Sequence, residues 1–84
     1  MAPIRVELPD VESATALTQE LFGRFRVELV QLNGSWQVEV PDRAHLPTPQ
    51  LLSAVERWLG LYGLDEVTIY FDDGAHTLRR PAAS

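Results

Sequence analysis

The chain contains neither cysteine nor lysine. Without cysteine there is no disulfide, no thiolate-held zinc or iron–sulfur cluster and no cysteine nucleophile. Without lysine there is no Schiff-base chemistry and no Walker-type phosphate loop, both of which use a lysine amine. The five glycines form no G-x-G-x-x-G run, so a backbone cradle for a nucleotide has no support. Positive charge is scarce: seven arginines stand against twelve acidic residues, a net charge of −5. Nucleic-acid binding depends on clustered basic groups that neutralise phosphates, and this balance argues against it. No apolar run approaches the roughly 20 residues that span a bilayer, and a strand pattern begins at Ile4 with no leader organisation before it. The expectation is a cytoplasmic protein with no membrane partner. Arginine as the sole basic residue is a usage expected of a GC-rich bacterial genome.

What is present suffices for one core. Hydrophobic residues make up 45% and charged residues 23% of the 84, which is globular rather than disordered usage. A chain of this size buries only about two thirds of its unfolded surface. The expectation is a single domain over residues 1–80, with 81–84 as a disordered tail.

Ile4, Val6 and Leu8 alternate with Arg5 and Glu7, the period of a strand with one buried face. Pro9 ends it, and Asp10 is an N-cap for a helix whose apolar stripe reads Val11, Ala14, Leu17, Leu21 and Phe22, with Gly23 as its stop. Phe25, Val27 and Leu29 alternate again, as do Trp36, Val38 and Val40, and Asn33-Gly34 between them is a hairpin signal. Residues 41–49 read as a loop. Thr48 and Pro49 open a second helix with Leu52, Val55, Leu59 and Tyr62 as its stripe, closed by Gly63 and Leu64. Val67, Ile69 and Phe71 form a fourth strand, and Asp73-Gly74 permits a short fifth over Ala75–Arg79.

This order is that of an α+β, ferredoxin-like βαββαβ sandwich: an antiparallel four-stranded sheet, with an optional fifth strand, and two helices on one face. The arrangement and the junction Leu8-Pro9-Asp10-Val11 resemble the ACT-type small regulatory domains. That resemblance implies an amino-acid ligand held between the first strand and first helix of paired subunits, near Pro9, Asp10 and Val11. The glycine that family places at the junction is missing.

The uncovered sheet face collects charge. A two-residue turn at Asn33-Gly34 sets Leu32 opposite Ser35, Val30 opposite Gln37 and Glu28 opposite Glu39. Two facing carboxylates cost stability unless a cation is near, and Arg5 is the candidate, within a lattice of Arg5, Glu7, Arg26, Glu28 and Glu39. Opposed carboxylates can share a proton or hold a metal, but a solvated charged lattice is the simpler expectation. Tyr70 is the sole aromatic expected on that face, too few for base stacking on RNA. His45 and His76 could serve as base or metal ligand only if aimed into a cavity, as a small dimeric enzyme would require. Asp72 and Asp73 read as turn formers. Ser13, Ser35, Ser53 and Ser84 lack the G-x-S-x-G context of a nucleophile.

The second helix carries another apolar row, Leu51, Ala54, Trp58 and Leu61, in addition to its core stripe. So wide an apolar arc is either covered within the chain or meets a second surface. The expected role is a non-enzymatic interaction or regulatory module, self-associating or bound to a protein partner through that row, without metal or organic cofactor. An ACT-like small-ligand sensor is the first alternative, and a small dimeric ferredoxin-like enzyme the second.

Overall fold

The computed structural model describes residues 3–41, 48–71 and 74–81. Seven elements follow in order: β1 (Ile4–Leu8), α1 (Val11–Phe22), β2 (Glu28–Leu32), β3 (Ser35–Val40), α2 (Thr48–Tyr62), β4 (Glu66–Phe71) and β5 (Gly74–Arg79). They build one antiparallel sheet of order β2-β3-β1-β4-β5. The first four strands have the ferredoxin-like arrangement with β1 and β3 inside. The fifth strand is six residues long and pairs along all of β4, from Glu66 opposite Arg79 to Phe71 opposite Gly74.

Local chemistry explains the boundaries. The Asp10 carboxylate accepts from the Ser13 backbone N–H at 2.8 Å, which caps α1. This hydrogen bond, more than anything else, holds the Asp10 carboxyl below its ordinary pKa. Asn33 and Gly34 both take positive φ, 50° and 82°, as a tight primed hairpin turn demands. The register is the one the turn predicts, with Leu32 opposite Ser35, Val30 opposite Gln37 and Glu28 opposite Glu39. At the end of α2 the N–H groups of Gly63 and Leu64 both reach the Leu59 carbonyl, at 2.9 and 3.1 Å. Gly63 sits at φ 100° and Leu64 packs against the core, as in a Schellman-type stop.

Several expectations change. Ladder pairing of β2 starts at Glu28, so Phe25 and Val27 precede the strand and pack on the core from outside it. The fixed hairpin turn places Glu28 opposite Glu39, so Val27 falls level with Val40, the last residue of β3, and Phe25 lies beyond the end of that strand. Gly23 keeps a right-handed conformation, φ −75°, and does not end α1 by a left-handed turn. On α1 the buried residues are Ser13, Ala14, Leu17 and Leu21, while Val11 and Phe22 at the helix ends are exposed.

The largest correction concerns α2. Leu51, Ala54 and Trp58 are buried together with Val55 and Leu59, Leu52 is only partly covered, and Tyr62 is exposed. The arc expected to meet a partner is instead largely the core arc. Its cover comes from within the chain: α2 packs against β5 and α1, and Leu78 of β5 joins the core. Of the four proposed interface residues only Leu61 stays at the surface, 74% exposed. Residues 42–47, 72–73 and 82–84 lie outside the described residues, and with them His45, Asp72, Asp73 and most of the expected tail.

The open sheet face as candidate functional site

Strand alternation divides the sheet cleanly. Ile4, Val6, Leu8, Val38, Val40, Val67 and Ile69 point under the helices and are buried. Their neighbours in sequence point to the opposite face, which neither helix covers. The ladders align those neighbours into two rows across the sheet. One runs Glu28, Glu39, Arg5, Tyr70, Ala75; the other runs Val30, Gln37, Glu7, Thr68, Thr77.

The first row settles the question of the facing carboxylates. Arg5 Nε donates to Glu39 Oε2 at 2.9 Å, with 41% of the arginine side chain and 18% of the glutamate side chain exposed. The arginine thus offsets Glu39 beside Glu28, as the register required. Arg26 lies two residues ahead of β2 and is exposed. It does not enter the rows.

The second row has a different character. Gln37 lies on the uncovered face, yet it is only 8% exposed, and its side-chain oxygen Oε1, itself out of solvent, has no hydrogen-bond partner among the described residues. Buried acceptors are nearly always satisfied, and leaving one unpaired costs about 1–3 kcal/mol. Its row neighbour Glu7 accepts from the Tyr70 hydroxyl at 3.5 Å, a long contact.

Two shallow depressions open on this face and share Glu7 and Ser35. One, about 380 Å³, is lined by Arg5, Glu7, Leu32, Asn33, Ser35, Gln37 and Tyr70. The other, about 400 Å³, is bounded by Leu8 and Pro9 on one side and by Gly34, Glu66 and Thr68 on the other. Both volumes fall in the range of small-molecule sites.

The remaining expected site residues are placed as follows. Pro9 borders the second depression, Asp10 is used as the α1 cap, and Val11 is exposed at the helix start. His76 projects from β5 on the helix-covered side, is itself exposed, and stacks on Phe71 with ring centroids 4.4 Å apart. It lines neither depression of the open face. Among the described residues no three His, Cys, Asp or Glu side chains converge as a metal site, and no helix is long and apolar enough to cross a membrane. Sequence reasoning assigned Gln37 to the open face but gave it no role. The available signal was a lone amide between Val30 and Glu7 at the middle of the ladder.

The fold and this face define an α+β domain of ferredoxin-like arrangement with a polar, concave, uncovered sheet surface. No protein-family model matches the chain, and no curated protein or solved structure is significantly similar to it.

Proposed function

We propose that the chain is a non-enzymatic interaction or regulatory module that works through its open sheet face. The observation carrying this reading is a polar sheet face that neither helix covers, with two depressions of about 380 and 400 Å³ that share Glu7 and Ser35.

Charge narrows the choice of partner. Within the two rows one arginine, Arg5, stands among three glutamates, Glu7, Glu28 and Glu39. A second copy stacking the same face would oppose like charge with like charge, so a partner other than another copy of the same face fits better. Self-association, if it occurs, would use the end of α2, where Leu61 and Tyr62 are exposed. Light scattering of the wild type and of Leu61→Ser tests it; an equal mass for both removes that site.

The amino-acid sensor reading retains one support, the position of Pro9 on the rim of the second depression. Thermal denaturation against a panel of amines, carboxylates, amino acids, sugar phosphates and short peptides tests the module as a whole. A ligand that binds only the folded state raises the melting temperature as its concentration rises. The expected result is stabilisation by at least one class that disappears in Glu7→Lys, since Glu7 lines both depressions. A panel whose every effect survives that substitution would refute the open-face reading.

A further inference from the structure

The helix layer carries a surface of the opposite charge. Arg5, Arg79 and Arg80 each meet a carboxylate, at 2.9, 3.2 and 3.2 Å. Arg24 and Arg57 meet none among the described residues. Although far apart in sequence, these two line one cleft of about 330 Å³ together with Pro49, Gln50 and Ser53. No acidic residue is among those five, in a chain with twelve acidic residues and seven basic ones. Cations gathered on one concave surface repel each other, and an anion held between them removes that cost.

Local structure explains how the cleft forms. Glu20 stands four residues before Arg24, the spacing at which a pair forms on a continuous helix, but α1 stops at Phe22. The Arg24 N–H turns back to the Leu21 carbonyl at 3.0 Å, so Arg24 leaves the helical path and does not pair with Glu20. On α2, which packs against α1, Gln50, Ser53 and Arg57 recur at spacings of three and four and form one exposed stripe. Glu56, the sole acidic residue of α2, points about 100° round the helix from Arg57.

The groups of the cleft are matched by one kind of anion. Each guanidinium brings five N–H donors and no acceptor, and Gln50 and Ser53 can donate as well. A carboxylate has a single charge and is satisfied by one guanidinium fork. A phosphate monoester carries about −1.5 to −2 near neutrality and three acceptor oxygens, enough to engage two guanidiniums that come from separate elements. A longer polyanion would bring its remaining charge against a chain of net charge −5.

We propose that the cleft between the end of α1 and the start of α2 binds a phosphate monoester group, with Arg24 and Arg57 sharing its charge and Gln50 and Ser53 donating to its oxygens. The cleft shares no residue with either depression of the open face and stands independently of that reading.

Phosphate salts stabilise folded proteins in general, so the test reads position: an amide-resolved NMR titration of the whole chain with methyl phosphate, against acetate at equal ionic strength. The expected result is saturable shifts at Arg24, Gln50, Ser53 and Arg57, half-saturated at a concentration at least tenfold lower than for acetate. That concentration should rise at least threefold from about pH 7.5 to about pH 5, as the ester loses its second charge near pH 6. Arg24→Gln and Arg57→Gln, both changes of exposed side chains, should each raise it at least fivefold, and Arg26→Gln, outside the cleft, should leave it unchanged. A phosphoserine tripeptide separates the sources of the group: tenfold tighter binding than methyl phosphate assigns the site to a phosphorylated protein, equal binding to a small phosphorylated metabolite. Shifts that do not saturate, that acetate matches, or that survive in both cleft variants would overturn the proposal. A response lost in Glu7→Lys but kept in both cleft variants would place the phosphate on the sheet face and overturn the cleft alone.

Discussion

Replacing Trp58 by alanine separates core from interface on α2. Trp58 is 5% exposed and stacks on Tyr62 with centroids 4.9 Å apart and planes inclined by 20°. Truncating a buried aromatic residue costs about 3–5 kcal/mol through lost transfer energy and the cavity left behind. The total stability of a domain of 84 residues is of order 4–13 kcal/mol, so the substitution removes a large share of it. With an unfolding entropy of about 2.1 cal/mol/K per residue, the loss corresponds to a drop in melting temperature of roughly 15–30 °C. The assay is thermal denaturation by circular dichroism, paired with light scattering below the transition. The structure predicts the full drop with no change in mass. A Trp58→Ala protein that kept its melting temperature within a few degrees while losing mass would show that the side chain faces a partner, and the assignment of α2 to an internal core would be wrong.

Three further outcomes follow from the same geometry. Gly34 holds φ 82° with open space where a Cβ would stand, so Gly34→Ala should cost about 1–2 kcal/mol from backbone strain alone, read by urea denaturation. Asp10 has a lowered folded pKa; its contribution is therefore complete above the unfolded value of about 3.9 and is lost as pH falls through the folded value. Asp10→Asn, which preserves an N-cap, should match the wild type near neutrality and show a weaker loss of stability in acid. Glu28→Gln removes one of two facing carboxylates and should stabilise by up to about 0.5 kcal/mol at low salt, an effect that fades when salt screens exposed charge.

The hairpin was readable from the chain because its rules are local. Asn33-Gly34 names a turn type, the turn type sets the register, and the register puts Glu28 against Glu39 with Arg5 beside them. The α2 error arose because coverage is not local. Leu51, Ala54 and Trp58 look surplus while β5 is only an optional short strand; once β5 pairs along all of β4, the sheet extends beneath α2 and encloses them. Val11 and Phe22 obey the helical period but lie at the ends of α1, beyond the reach of the sheet. Gln37 illustrates a third limit. Alternation assigns its face, but whether its oxygen finds a donor depends on side chains from β1, β2 and β4 at once, and no spacing in the sequence encodes that.

The most direct test of the open face as a working surface is an amide-resolved NMR titration of the isotopically labelled chain with the compounds of the thermal-denaturation panel. The account predicts saturable shifts at Glu7, Gln37 and Tyr70 and in the side-chain amide of Gln37, with Val11, Phe22 and Leu61 unmoved. Shifts confined to the helix ends, or none on the sheet with any of these compounds, would contradict it.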